Sequence, residues 1–220
     1  MITILFGPPG SGKGTQAAVI SKTFGLPHVS TGQMLRDEVA LDTELGREVG
    51  PVMTTGGLIP DATMVRVIES RLGQADARQG VLLDGFPRTV PQAEELDAML
   101  ERTGRELGVV LFFDVPEEEL AKRIAHRSET DHRADDTPEA FIARMREYEA
   151  KTAPVIDYYQ GKGAHLEYVD GNAPVDAVTE SVLTILGSRT RADGTSPFHA
   201  AEGTAETAPQ AEVAPERGTA

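Results

Sequence analysis

Short apolar runs alternate with longer segments of mixed polarity along the first 186 residues of the chain. Runs of this length that are bounded by polar residues are typical of strands buried on both faces of a parallel sheet. Four such strands are predicted, with a short fifth strand at Pro27–Ser30. The four are Ile2–Phe6, Gly80–Asp84, Val109–Asp114 and His165–Val169.

The longer segments between these runs are predicted to be helices, and several begin with a recognisable start signal. Such signals are Thr31 at the head of one segment, Asp61 after Pro60, and Thr137 before Pro138. The predicted helices are Gly14–Thr23, Thr31–Leu41, Asp61–Leu72, Val90–Arg102, Pro116–His126, Pro138–Tyr159 and Val175–Leu186.

The alternation of strands and helices implies crossover connections. We therefore predict an α/β fold in which helices flank a parallel five-stranded sheet. Ligands of such folds bind at the carboxyl ends of the strands. The loops Gly7–Lys13 and Asp84–Arg88, together with the loop from Val115 onward, are expected to converge there.

The amino-acid composition excludes several classes of protein function. The chain has 40% hydrophobic and 25% charged residues and no cysteine, which excludes a disulfide scaffold, a cysteine-ligated zinc site and a cysteine nucleophile. Its formal charge of -14 opposes binding to nucleic acid or to an anionic membrane, so neither is expected as a partner. Met1–Phe6 lacks the basic region of a signal peptide, and we expect a cytoplasmic protein.

The last part of the chain differs in composition from the rest. Between residues 188 and 220, Phe198 and Val213 are the only large apolar side chains among many alanine, glycine, threonine, proline and glutamate residues. Such a segment buries too little surface to offset its ordering entropy. We therefore expect one domain over residues 1–187 and a disordered acidic tail over residues 188–220.

A glycine-rich loop lies between the first predicted strand and the first predicted helix. Its sequence GPPGSGKGT, residues 7–15, matches the phosphate-binding pattern G-x-x-x-x-G-K, in which backbone N–H groups and a lysine, here Lys13, meet phosphate oxygens. A glycine-rich turn with a chance lysine is the alternative. Because Gly14 replaces the usual hydroxyl residue and Thr15 follows it, a magnesium ion must be held by another oxygen.

Four motifs in order make the chain resemble the adenylate kinases. They are GPPGSGKGT, STGQMLR at residues 30–36, DGFPRTVPQAE at residues 84–94 and RADD at residues 133–136, and the resemblance runs from Ile2 to about Leu186. It implies a P-loop NTPase-type kinase, acting as a monomer, that converts ATP and AMP into two ADP with Mg²⁺. It also implies a mobile AMP-binding segment, residues 30–59, and a short lid loop, residues 127–133.

The resemblance assigns residues to both nucleotides. Catalytic roles fall on Lys13, Arg88, Arg123, Arg127, Arg133 and Arg144. ATP-binding roles fall on Gly10, Ser11, Gly12, Lys13, Gly14, Thr15, Arg123, Arg127 and the carbonyl of Ala173. AMP-binding roles fall on Thr31, Arg36, Gly57, Leu58, Ile59, Gly85, Arg88, Gln92, Arg133 and Arg144.

Each polar residue of this set also has a simpler interpretation. A single arginine such as Arg36 or Arg88 is more often a solvated surface charge, and Arg123 on its own fits a surface helix balanced by Glu117 to Glu119. Thr31 can act as a helix cap, and Gln92 can be an exposed helical residue.

Metal chemistry is assigned to Asp84, which ends a predicted apolar strand. An acid at this place in P-loop enzymes holds Mg²⁺ directly or through water, although a carboxylate there can also cap a turn. The lid is too short for the small zinc-binding domain of longer family members. His126 and His132 lack further ligands, so no structural zinc is expected.

Two other functions stay open at this level. The first is a kinase of the same architecture for another monophosphate, such as UMP or CMP, which Thr31 and Gln92 disfavour. The second is a nucleotide-dependent adaptor that works through its acidic tail, which the large arginine set disfavours.

Overall fold

Five parallel strands form one sheet in the computed structural model, which describes residues 1–131 and 137–188. The strand order is β2-β3-β1-β4-β5, so the first strand lies at the centre. The strands are β1 Ile2–Phe6, β2 His28–Ser30, β3 Val81–Asp84, β4 Leu107–Asp114 and β5 Leu166–Asp170. The five predicted strands and the α/β class are confirmed.

Strand β5 is less buried than predicted. It lies at the edge of the sheet and pairs with β4 alone among the described strands, and its Tyr168 side chain is 58% exposed. Val169, the next residue, is buried. The prediction that this strand is buried on both faces was therefore wrong, because an edge strand has less cover than a central one.

Helices cover both faces of the sheet. In the described ranges they are α1 Lys13–Phe24, α2 Thr31–Ala40, α3 Glu44–Thr54, α4 Asp61–Leu72, α5 Val90–Arg102, α6 Glu117–Asp131, α7 Pro138–Glu147, α8 Pro154–Gly161 and α9 Val175–Gly187. A 3₁₀ turn spans Ala75–Ala77. All seven predicted helical segments are present, with the differences given below.

The predicted helix Pro138–Tyr159 is interrupted. A π-helical turn, Tyr148–Thr152, separates α7 from α8, and the Ala153 N–H donates to the Tyr148 carbonyl at 2.8 Å. Pro154 follows directly and has no N–H to continue the α-helical pattern. A single proline therefore divides the segment. Within the π-helical turn, Thr152 Oγ1 donates to the carbonyl of Arg88, which lines the cleft described below.

Helix starts agree with the predictions except at α2. The Thr137 side chain accepts a hydrogen bond from Ala140 N, and Pro138 is the first residue of α7, as predicted. At α2 the cap is Ser30, whose Oγ accepts from Gln33 N at 3.4 Å. Thr31 is already inside the helix, so its interpretation as the cap was wrong, and its hydroxyl is available for another contact.

Two apolar layers enclose the sheet. Along β1, Ile2, Ile4 and Phe6 join the core beneath α2, α4, α5 and α8, whereas Leu5 joins the core with α1 and α9. This alternation follows from the two-residue period of a strand. A smaller cluster joins α6 to α7 through Val115, Leu120, Ile124, Phe141 and Met145.

The register brings the carboxyl ends of the strands to one edge. Leu5 is level with Asp84 of β3, and Asp114 of β4 is level with Asp170 of β5. The loops that follow β1, β3, β4 and β5 therefore begin at the same edge, as the sequence predicts.

Two sequence predictions lie partly outside the described residues. Helix α6 continues to Asp131, so the first five residues of the predicted lid loop, residues 127–131, are helical. Residues 132 and 133 and the predicted tail from residue 189 lie outside the described ranges. None of the described helices has both the length and the apolar character required to cross a membrane.

Helix α3 was not predicted, because Gly46, Gly50 and Pro51 disfavour a helix. Its packing against α2 compensates for this. A Cβ atom on Gly46 would overlap the Glu38 carbonyl, whereas a Cβ on Gly50 would lie at ordinary contact distance, 3.6 Å, from the Val39 side chain. Close approach of the two helices therefore depends on Gly46 specifically.

We expect Gly46→Ala to lower the free energy of unfolding by about 1–3 kcal/mol through overpacking. Gly50→Ala is the matched control in the same helix, and we expect it to be neutral or to stabilise by about 0.5–1 kcal/mol through helix propensity. Denaturant unfolding of both variants measures the difference. Equal stabilities of the two variants would contradict the packing described here.

Candidate functional site

A cleft of about 1030 Å³ opens at the carboxyl edge of the sheet. Apart from Arg133, which lies outside the described residues, every residue assigned from the sequence lines it. They are Gly10, Ser11, Gly12, Lys13, Gly14, Thr15, Thr31, Arg36, Gly57, Leu58, Ile59, Asp84, Gly85, Arg88, Gln92, Arg123, Arg127, Arg144 and Ala173. Their individual roles stay predictions.

The glycine-rich loop joins β1 to α1 and packs closely against β4. Gly7 has φ 144°, and a Cβ there would lie 2.7 Å from the Phe113 carbonyl oxygen. Gly10 and Gly12 have φ 86° and 89°, a region that side chains rarely adopt. These three glycines let the loop turn tightly into α1, where free N–H groups at the helix start favour an anion.

Lys13 is the first residue of α1 and points back into the loop. Its Nζ donates to the carbonyls of Gly7 and Pro8, both at 2.8 Å, and to Ser11 Oγ at 3.1 Å. Burial lowers the pKa of Lys13 to about 8, against the opposing effect of Asp84 and with the help of two arginines. A phosphate beside this ammonium group would stabilise its charged form.

Asp84 ends β3 with its side chain 14% exposed, and its Oδ2 lies 3.2 Å from His28 Nε2. Burial alone would raise the pKa of Asp84. The hydrogen bond from His28 and the charges of Lys13, His28 and Arg88 outweigh burial and lower the pKa. Asp84 is therefore a carboxylate beside the phosphate-binding loop.

This carboxylate fits a magnesium ion. A Cβ on Gly14 would lie 4.0 Å from Asp84 Oδ2, so Asp84 faces the position where the usual hydroxyl residue is missing. Hard oxygen ligands suit Mg²⁺, which commonly binds one or two carboxylates together with substrate phosphates. Among the described residues no cluster of three or more His, Asp or Glu side chains could hold a metal by itself.

A second cluster of cationic side chains surrounds Arg88, just past the end of β3. Its Nε donates to the Gly85 carbonyl at 2.8 Å, and Thr152 Oγ1 donates to the Arg88 carbonyl at 2.9 Å. Burial lowers the pKa of Arg88; Asp84 opposes this shift, whereas Arg144 and Arg36 add to it. The charges of three guanidinium groups, from α2, from the loop after β3 and from α7, therefore interact in one part of the cleft.

Thr31 and Gly85 fix the wall beside Arg88. The Thr31 hydroxyl donates to the carbonyls of Asp84 and Gly85 at 3.3 and 3.0 Å. Gly85 has φ 83°, and a Cβ there would lie 2.6 Å from Thr31 Oγ1 and 2.9 Å from Arg88 Nη2. Thr31 therefore holds α2 against the end of β3, and Gly85 leaves room for both side chains.

Gln92 is 2% exposed, so its interpretation as an exposed helical residue was wrong. Its Oε1 accepts from the Arg88 backbone N–H at 2.7 Å, and its Nε2 donates to Asp61 Oδ1 at 2.8 Å. Each end of an amide can form one more hydrogen bond. Gln92 therefore keeps one acceptor and one donor for a ligand.

The α6 arginines form the remaining cationic wall. Arg123 Nη1 donates to the Gly171 carbonyl at 2.9 Å, and its Nε lies 3.3 Å from Glu119 Oε1. The simpler interpretation, an ion pair with an acid of the same helix, is therefore correct in part. Arg127 acts on the pKa of Lys13, and Ala173 lines the cleft beyond the end of β5.

Two residues that contact assigned site residues were missed in the sequence. His28 lies on the short strand β2 beside β3, level with Leu82, and its link to Asp84 needs the strand order to be known. Asp61 was interpreted only as a helix-start residue, and its contact with Gln92 joins residues 31 positions apart. No local sequence pattern indicates either contact.

Together, the glycine-rich loop between the central strand and α1 and the facing arginine site define a P-loop protein that handles phosphorylated nucleotides. The adenylate kinase family model matches residues 5–164. The chain is 50% identical over 192 residues to the adenylate kinase of Methylobacterium nodulans, covering 84% of this chain and 96% of that protein.

Two further adenylate kinases are similar in sequence to this chain over 187 residues. Those of Xanthomonas campestris pv. campestris and Xylella fastidiosa are 46% and 44% identical, and in each case 85% of this chain and all of the relative are covered. The chain therefore belongs to the adenylate kinase family, as the motifs suggest, and is an enzyme of the nucleoside monophosphate kinase class.

We expect Gly85→Ala to lower kcat/KM by about 10²-fold, because displacing Arg88 and Thr31 misplaces groups that position a substrate. Gly104→Ala is the matched control. Gly104 also has positive φ, 62°, but a Cβ there meets no described atom within 4 Å. Both variants carry the strain of a side chain at positive φ, but only Gly85→Ala displaces Arg88 and Thr31. Kinetics and melting temperature measured on both variants therefore separate that displacement from backbone strain. An equal loss of kcat/KM in both variants would contradict this account.

Proposed function

We propose that this enzyme transfers the terminal phosphoryl group of ATP to AMP reversibly, giving two ADP, and that the two nucleotides occupy opposite ends of the cleft. The observation that carries the proposal is the presence of two separate cationic sites at one sheet edge. One is Lys13 in the glycine-rich loop, and the other is Arg88 with Arg36 and Arg144. A donor and an acceptor phosphate need two such sites.

The donor end is assigned to ATP. The N–H groups of Gly10 to Thr15 would meet the β- and γ-phosphates together with the ammonium of Lys13. Arg123 and Arg127 on α6 would close the site from the opposite wall, and the Ala173 carbonyl is assigned to the adenine. Binding of the phosphates would replace the carbonyl contacts that Lys13 makes to Gly7 and Pro8.

The acceptor end is assigned to AMP. Arg36 and Arg88 suit a phosphate dianion, since a guanidinium can donate two parallel hydrogen bonds. Gln92 presents one donor and one acceptor, which match adenine N1 and its exocyclic amine. Thr31, Gly57, Leu58, Ile59 and Gly85 are assigned to the walls of this pocket, and all five line the cleft.

Catalysis would come from positioning and from neutralising charge on the transferred group. Phosphoryl transfer requires no protein nucleophile, and cations around the equatorial oxygens stabilise its transition state. Arg123, Arg127 and Arg144 are assigned this task with Lys13 and Arg88, and Arg133, outside the described residues, is assigned with them. The AMP phosphate oxygen that attacks would be held in line by Arg88.

Asp84 is assigned to magnesium, directly or through water. Mg²⁺ bound with ATP would supply charge neutralisation at the phosphates. Asp84 would contribute a carboxylate oxygen, and His28 would hold that carboxylate in place through Oδ2.

Two segments are proposed to exclude water. They are the AMP-binding segment, residues 30–59, and the lid, residues 127–133. Water that reached the γ-phosphate would hydrolyse ATP without an acceptor. We retain the monomeric state and the cytoplasmic location as proposals, on the basis of the family to which the chain belongs.

A coupled assay with ATP and AMP, UMP, CMP or GMP tests this proposal, in Mg²⁺ and in excess chelator. We expect AMP to be preferred by at least about tenfold, because a base that leaves the buried Gln92 amide unpaired costs about 1–3 kcal/mol. We expect the chelator to abolish turnover. Comparable efficiency with UMP or CMP would support a pyrimidine monophosphate kinase instead, and ATP binding without transfer to any acceptor would support an adaptor.

A further inference from the structure

Asp61, the first residue of α4, lies behind Gln92. Its carboxylate uses both oxygens: Oδ1 accepts from Gln92 Nε2 at 2.8 Å, and Oδ2 accepts from Thr89 Oγ1 at 3.0 Å. Gln92 lines the cleft, but Asp61 is not among the described residues that line it. Asp61 therefore contacts a residue of the acceptor pocket without facing the pocket itself.

The partners of Gln92 determine which way its amide points. A carboxylate can accept hydrogen bonds but not donate them, so the NH₂ end of Gln92 must face Asp61. A backbone N–H can donate but not accept, so the carbonyl end must face Arg88 N, which lies 2.7 Å from Oε1. Rotating the amide by 180° would turn two favourable contacts into a donor facing a donor and an acceptor facing an acceptor.

Thr89 keeps Asp61 in place. Its hydroxyl accepts from Gln92 N at 3.2 Å as the cap of α5, and its one proton goes to Asp61 Oδ2. The first turn of α5 and the first residue of α4 are thus tied together by one carboxylate and one hydroxyl. Asp61 cannot turn away from Gln92 without losing the Thr89 bond.

We propose that Asp61 is a positioning residue that selects the acceptor base, by holding the Gln92 amide in the orientation that matches adenine and opposes hypoxanthine or guanine. This inference rests on the proposed function. Adenine presents an acceptor, N1, next to a donor, the 6-amino group. Hypoxanthine presents the reverse, a donor at N1 next to an acceptor at O6, and would require the rotated amide.

Removal of the carboxylate would weaken this orientation. In Asp61→Asn, the side-chain NH₂ can donate to Gln92 Oε1 and so support the rotated amide. Arg88 N still favours the original orientation, so the preference should become smaller without being reversed. AMP remains a substrate of the variant, and IMP becomes a better one relative to AMP.

The experiment measures kcat/KM for AMP and for IMP with ATP in the wild type, D61N and D76N. We expect the ratio of AMP to IMP efficiency to fall by about tenfold in D61N. Asp76→Asn is the matched control, since Asp76 forms a surface ion pair with Arg71 at 2.7 Å and its substitution removes the same charge. We expect the D76N ratio to equal that of the wild type.

The ratio separates positioning from a structural role. A merely structural loss would lower both efficiencies by the same factor, and an unchanged ratio in folded D61N would overturn the inference. If D61N does not fold, D61S, which also lacks the carboxylate that accepts from Gln92, carries the same comparison. A wild type that uses AMP and IMP equally would instead overturn the assignment of Gln92 under the proposed function, and this inference with it.

Discussion

Three cations of the cleft are each held by the carbonyl oxygen of a glycine that directly follows a strand. Lys13 donates to Gly7 after β1, Arg88 to Gly85 after β3, and Arg123 to Gly171 after β5. At each glycine a Cβ would lie 2.6–2.7 Å from a neighbouring atom. The position of the positive charge in the cleft therefore depends on strand ends that leave no room for a side chain.

Gathering these cations has an electrostatic cost, because burial lowers the pKa of both Lys13 and Arg88. Asp84 offsets part of that cost for both, and His28 in turn helps to keep Asp84 ionised. Nucleotide phosphates would offset much more of it. In a chain whose net charge is -14, this local excess of positive charge would favour the binding of phosphates at the cleft.

The sequence alone predicts the parts of this arrangement that depend on local pattern. Strand runs, the glycine-rich loop and most helix bounds follow from periodicity and spacing, and the strand ends locate the cleft. Helix α3 was missed because tertiary packing at Gly46 overrides poor helix propensity. The link between Gln92 and Asp61 was missed because it depends on how α4 packs against α5.

Equilibrium binding of ATP and of AMP, each measured alone, tests most directly whether the cleft has separate donor and acceptor ends. We expect Lys13→Ala to weaken ATP binding by about tenfold or more and to leave AMP binding nearly unchanged, and Arg88→Ala to do the reverse. Arg102→Ala, which removes an exposed ion pair with Glu69, should change neither. If Lys13→Ala and Arg88→Ala each weakened the binding of ATP and of AMP equally, the division of the cleft into two sites would be contradicted.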